Sequence, residues 1–232
     1  MRKILLLCAA ATAMMTASAQ QVLLEEEFDN GKIPETWLNV DADGDGHKWG
    51  ATDDPHWGGH KGTDGCAYSE SYNMGTDEPL HPDNWLITPQ ITLSGNCTLT
   101  YFVASHDKYS SAEHYGVFLS ETGTQTTDFT ETLIDDTLPD GTDEYHEKTI
   151  DLSAYAGKAV YLAFRHYNIS DMSILKLDGV KVESSGQPGA VSDIAVTEPE
   201  SNVWYDLQGR KFEQKPEAAG IYISNGKKVV VR

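Results

Sequence analysis

The chain has 232 residues, with 17 basic against 36 acidic side chains and a formal charge of −19. A surface this anionic repels phosphate backbones, which excludes nucleic acid and favours divalent cations or cationic partners. Beyond Val203 the balance reverses: Arg210, Lys211, Lys215, Lys227, Lys228 and Arg232 face only Asp206, Glu213 and Glu217. The acidity therefore belongs to the preceding part.

Residues 1–19 read as a secretory signal peptide. Arg2 and Lys3 precede an apolar run from Ile4 to Met15, and Ala17-Ser18-Ala19 forms a small-residue cleavage site before Gln20. The run is short for a membrane span, and no small residue precedes Cys8 as a lipidated leader would require. No later segment is apolar enough to cross a bilayer, so the expectation is an exported chain, secreted or at the outer cell surface, without an integral membrane segment. Cys66 and Cys97 remain after export. Paired, they would stabilise the fold by about 3–4 kcal/mol; unpaired, they are two buried thiols, and both readings stand.

In Leu24-Glu25-Glu26-Glu27-Phe28, Glu26 shares strand parity with Leu24 and Phe28. If that face is buried, its carboxylate points inward and needs a partner. Asp41-Ala42-Asp43-Gly44-Asp45-Gly46 then places carboxylates on alternate residues, with glycines to turn the backbone, as in the opening of a calcium loop. The EF-hand match ends there. Thr52 stands at the twelfth position, where a bidentate Glu is required, and no helical periodicity flanks the loop. A Ca²⁺ site in a β-sandwich loop, completed by residues distant in sequence, is the expectation.

His56-Trp57-Gly58-Gly59-His60 spaces two histidines as on a zinc-binding helix, but the glycines make a helix improbable and favour a solvated loop. Trp57 is the best candidate for an exposed, ligand-contacting aromatic, with Trp49 a second; Trp85 lies in an apolar strand and belongs to the core. Further strands follow from period-two alternation: Leu99, Tyr101 and Val103; Tyr115, Val117 and Leu119; Val160, Leu162 and Phe164. Ser105-His106-Asp107 holds the residue types of a hydrolase triad, but adjacent side chains diverge and cannot build its geometry. No other catalytic constellation stands out, so no enzyme is expected.

In Leu175-Lys176-Leu177-Asp178-Gly179-Val180-Lys181-Val182 the apolar parity switches at Asp178-Gly179. A β-bulge there would restore one inward face and re-aim Asp178. The predicted architecture is all-β, a jelly-roll sandwich over residues 20–184. Its first and last strands lie side by side and share one cation with the acidic loop, through Glu26, Asp41, Asp43, Asp45 and Asp178. The plainer alternative is that these are solvated surface acids. A linker over 185–202 leads to a small β module at 203–232, in which Asn225-Gly226 signals a hairpin.

Phe28-Asp29-Asn30-Gly31-Lys32-Ile33-Pro34-Glu35-Thr36-Trp37, followed by the acidic loop and His47, resembles the opening of a cleaved-adhesin domain. These are the haemagglutinin/adhesin modules of gingipain proteases and of exported Bacteroidetes proteins. The resemblance continues through Cys66-Ala67-Tyr68-Ser69-Glu70-Ser71-Tyr72, Pro82-Asp83-Asn84-Trp85-Leu86-Ile87-Thr88-Pro89, Ala112-Glu113-His114-Tyr115, Ala163-Phe164-Arg165-His166 and Leu177-Asp178-Gly179-Val180. It implies a calcium-stabilised jelly roll that binds a host or matrix protein or glycan and performs no catalysis. It places calcium ligands at Glu26, in the Asp41–Asp45 loop and at Asp178, with Asp29 and Glu70 as weaker candidates. Gly179 departs from the second acid that the family often carries there. A carbohydrate-binding module is the alternative reading. The tail, from Val203-Trp204-Tyr205-Asp206-Leu207 to Val229-Val230-Val231, is similar to C-terminal sorting domains of the type IX secretion system, which implies outer-membrane passage and surface attachment.

Overall fold

The alternating runs become strands because each presents one apolar face to a common interior and its polar residues to the other side. The computed structural model describes residues 20–185, 204–206, 208–224 and 227–231. The expected signal peptide, nearly all of the expected linker and the Asn225-Gly226 turn lie outside the described residues. The chain divides into two units between Pro188 and Gly189.

The larger unit begins with β1 (Gln20–Glu26), β2 (Leu38–Asp41), β3 (Gly50–Thr52), β4 (Cys66–Glu70) and the short hairpin of β5 (Tyr72–Asn73) and β6 (Glu78–Pro79). It continues with β7 (Asn84–Ile87), β8 (Ile91–Thr92), β9 (Asn96–Ser105), β10 (His114–Ser120) and β11 (Glu131–Thr137). The last strands are β12 (His146–Asp151), β13 (Ala159–His166) and β14 (Ile174–Ser185). One antiparallel sheet runs β12-β9-β14-β4-β3, with β1 also pairing β14; the other runs β11-β10-β13-β7-β2, with β8 on β13. The first and last strands are thus neighbours, Glu26 opposite Val180. The repeated crossing from sheet to sheet gives a jelly-roll sandwich.

Between the sheets, Leu99, Tyr101, Leu177 and Val182 meet Leu86, Val117, Leu162 and Phe164 in one buried cluster. The Tyr101 ring stands edge-on to Phe164 at 5.2 Å, and its hydroxyl meets that of Tyr115 at 3.2 Å. Burial drives both phenols upward, Tyr115 to about 12. Cys66 and Cys97 are both buried free thiols, so this sandwich is closed by packing and hydrogen bonds.

Asp178 and Lys181 flank a break in the β14–β9 register. Gly179 adopts φ +56° there, and a Cβ on it would lie 2.8 Å from Phe102 Cδ2. The glycine therefore permits both the bulge and the close approach of the aromatic ring.

The smaller unit holds β15 (Trp204–Asp206), β16 (Lys211–Phe212), β17 (Gly220–Ser224) and β18 (Lys227–Val231). They form one antiparallel sheet in the order β16-β15-β17-β18. Tyr222 and Val231 are buried in it, and Tyr222 packs edge-on against Trp204 and Phe212. Among the described residues, no helix is long and apolar enough to cross a membrane.

Candidate metal centre and the strap on the outer sheet face

β2 ends at Asp41, and left-handed Gly44 and Gly46 turn the chain sharply after it. The turn folds backbone donors onto the first carboxylate: Gly44 N–H donates to Asp41 Oδ1 at 2.7 Å and Gly46 N–H to Oδ2 at 2.9 Å. Asp45 Oδ1 accepts from His47 N–H at 2.7 Å. One oxygen each from Asp41, Asp43 and Asp45 lies within 4.8 Å of the others.

Burial opposes charge on Asp41, but the N–H groups of Gly46 and Gly44 outweigh it and hold the carboxyl below its ordinary value. Asp43 moves the other way, raised by burial and then by the Asp41 carboxylate. Like charges so close cannot both ionise freely, and a hard divalent cation would relieve the conflict. The donor set, carboxylates on a glycine turn, fits calcium. Thr52, by contrast, sits on β3 opposite Cys66, and its hydroxyl oxygen accepts from Asp54 N–H. The EF-hand continuation is therefore absent in space as well as in sequence.

Glu26 and Asp178, expected to share one ion with the loop, lie outside this carboxylate group. Glu26 turns back on its own backbone, Oε1 accepting from Phe28 N–H at 2.8 Å. Asp178 is fully buried on the outer face of its sheet, away from the core-facing Leu177 and Val180. It accepts from His60 N–H at 2.6 Å and from Gly179 N–H at 2.7 Å. Burial pushes its carboxyl up to about 7 against these donors, with the Glu27 and Asp29 charges adding to the rise. Asp29 itself is exposed. Glu70 connects to the acidic loop through His47, whose Nδ1 lies 3.3 Å from Glu70 Oε2.

The partner of Asp178 is a strap, residues 53–65, that crosses the outer face of the sheet. Lys176, alongside Asp178, donates from Nζ to Trp57 O at 3.0 Å; Tyr145 O–H donates to Gly58 O at 3.1 Å. Trp57 packs 4.7 Å from Tyr68 and 4.8 Å from His106, and His60 stacks on Phe102 at 3.2 Å. Trp57 is thus half-buried and spends its ring on the sheet, a correction to its expected exposure. Trp49 is a second correction. It is 3% exposed, and its Nε1–H donates to Asn84 O, so it belongs to the core. Trp85 is buried, as its apolar strand foretold, with the Arg165 guanidinium 4.5 Å above its ring. His56 pairs with Asp54, apart from the stacked His60. Ser105 Oγ donates to the Asp107 carbonyl, so these residues form no triad.

Sequence reasoning missed a different constellation. Ser69 Oγ lies 2.8 Å from His166 Nδ1, and His166 Nε2 lies 3.1 Å from Glu113 Oε2, with all three residues fully buried. Asn84 Nδ2–H donates to Ser69 Oγ. Ser69 Oγ, which accepts from Asn84, thus also meets Nδ1, and the opposite ring nitrogen faces Glu113. Ser71 O–H and Ser173 N–H also donate to Glu113 Oε1. The order matches a hydrolase relay, but the serine is sealed inside the sandwich, so the network joins β4 of one sheet to β13 of the other. The available signal was His166 on the strand parity of Leu162 and Phe164, where a polar ring must find a buried partner; Glu113, in the polar run Ser110-Ser111-Ala112-Glu113-His114, gave none.

The profile of the Cleaved Adhesin Domain matches residues 21–182. The chain is 39% identical over 221 residues to Hemagglutinin A of Porphyromonas gingivalis, covering 86% of this chain and 8% of that protein. It is 38% identical over 178 residues to Gingipain R1 of the same species, covering 71% of this chain and 10% of that one. The chain thus spans about a tenth or less of these relatives. Among solved structures, the K1 Cleaved Adhesin domain of Lys-gingipain from P. gingivalis W83 superposes with a TM-score of 0.64 at 38% identity, over 72% of this chain and 99% of that one. The K3 domain of the same protein gives 0.62 at 33%, over 72% and 99%.

Proposed function

This chain belongs to the Cleaved Adhesin Domain family and is an adhesin-type binding module, and we propose that it is exported and attaches to host or matrix macromolecules without catalysis. The observation that carries this reading is a family match that spans the sandwich, residues 21–182. The sealed Ser69–His166–Glu113 network supports a non-catalytic role, since no substrate reaches its serine.

Calcium belongs to the same proposal. Asp41, Asp43 and Asp45 would hold it, and its charge would neutralise a loop whose carboxylates otherwise repel. Asp41 lies opposite Asn84 on β7, so a loop made rigid there is anchored directly in the sheet. The carbohydrate-binding alternative is weakened by the packing of Trp49 and Trp57. The smaller unit, with its basic residues and four-stranded sheet, is read as a sorting module for outer-membrane passage and surface attachment.

Agglutination of erythrocytes by the purified chain tests the reading. The expected result is agglutination that weakens when calcium is chelated. Failure to bind erythrocytes, fibrinogen, fibronectin and collagen alike would overturn it.

A further inference from the structure

Beside the strap, the outer face of the β1-containing sheet carries a cleft of about 410 Å³. Its floor follows from strand register. Glu147 on β12 lies directly opposite Phe102 on β9, and Phe102 lies opposite the Asp178–Gly179 bulge of β14. Glu27, just beyond β1, reaches the far side, where its Oε2 lies 3.6 Å from a Cβ built on Gly179. An aromatic ring, packed closely against the bare Gly179, therefore sits between two carboxylates.

The charges in the cleft are unevenly satisfied. Lys181 is held by Glu183 at 2.6 Å and Glu25 at 3.6 Å. Among the described residues, Glu27 and Glu147 make no ion pair, and neither does Lys61 of the strap. The Lys61 ammonium is instead placed 5.1 Å from the Phe102 centroid, beside the stacked His60 ring. A cation over an aromatic face, with carboxylates to either side, is a recognised mode of ammonium and guanidinium binding. Here the chain supplies its own loosely tethered cation from an exposed residue.

We propose that this cleft receives a lysine or arginine side chain of a partner polypeptide, which displaces Lys61 and lies over Phe102 between Glu27 and Glu147. The proposal rests on the adhesin-type reading and names the chemistry of the partner. Charge complementarity selects the occupant: the cleft is lined by more carboxylates than its two lysines neutralise.

The test uses the full chain, ¹⁵N-labelled, in calcium-containing buffer, titrated with acetyl-Gly-Arg-Gly-amide and with the neutral citrulline counterpart. The arginine peptide should shift the amides of Thr100, Phe102 and Glu147, and the citrulline peptide should not. Glu27→Gln with Glu147→Gln should weaken binding about tenfold, whereas the remote exposed pair Glu78→Gln with Glu131→Gln, outside the cleft, should leave it unchanged. Lys61→Ala should tighten binding by emptying the seat. An equal response to citrulline, an equal loss from the remote pair, or displacement of the peptide by added calcium would overturn the proposal. A neutral glycan whose binding is lost in the Glu27/Glu147 variant would also overturn it. Agglutination is measured in parallel: its persistence without peptide binding refutes the cleft alone, and its absence alongside peptide binding refutes the adhesin reading alone.

Discussion

Lys176 and Asp178 leave the same face of β14 two residues apart and grip one strap through opposite chemistry. Lys176 donates to the carbonyl of Trp57, and Asp178 accepts from the N–H of His60. Lys176 is 6% exposed, and its ammonium also lies 4.8 Å from the Tyr145 ring. Burial lowers its basicity, and the neighbouring Cys66, Asp143 and Asp178 oppose that fall. Replacing it by Met should loosen the strap while the sandwich stays folded. Limited trypsin digestion checks this: cleavage after Lys61 should be faster in Lys176→Met than in the unaltered chain.

The Ser69–His166–Glu113 network should matter more to stability. Glu113→Ala removes the acceptor for His166, Ser71 and Ser173 at once, in a fully buried place. Each buried donor left unsatisfied costs about 1–3 kcal/mol. Glu113→Gln keeps an acceptor oxygen and should cost less than half as much. Urea denaturation of both variants gives the comparison.

Gly179→Ala should destabilise by about 1–2 kcal/mol from its left-handed backbone alone, and by more because the new Cβ would press on Phe102. Thermal unfolding measures the loss. A variant as stable as the parent would mean that the bulge does not fix this conformation.

His106 gives a pH signature. Burial, followed by the nearby Lys176 charge, holds its imidazole below the ordinary histidine value, and its Nδ1 is buried without a partner. A depressed folded value means that the unfolded chain binds the proton first as pH falls below about 6.5. His106 should therefore contribute full stability above that pH and lose it progressively towards the lower folded value. The decline in melting temperature between pH 7 and pH 5 should be shallower in His106→Gln.

The parity break at Asp178-Gly179 was readable because a one-residue slip exchanges the faces of a strand, and only a bulge reconciles Leu175 and Leu177 with Val180 and Val182. The pairing of the first and last strands was expected only as part of a shared cation site, and the strands do pair, Glu26 opposite Val180. The destination of Asp178 was not readable, because it depends on where a glycine-rich segment more than a hundred positions earlier comes to rest. Trp57 misled for the same reason: flanking glycines signal a loop, but only tertiary contacts decide whether that loop lies open or lies down on a sheet. Glu113 and His166 are 53 residues apart, and nothing local links them. The acidic loop was legible because its three carboxylates and its turning glycines are consecutive.

The most direct test of the account is a calorimetric titration of calcium into the full chain after exhaustive dialysis against chelator, for the unaltered protein and for Asp43→Asn with Asp45→Asn. Both substituted residues are exposed, so the variant should keep its fold. The account predicts saturable binding at about 10⁻³ M or tighter, a melting temperature that rises with calcium, and loss of both effects in the variant. No binding heat, together with identical melting in calcium and in EDTA, would contradict it.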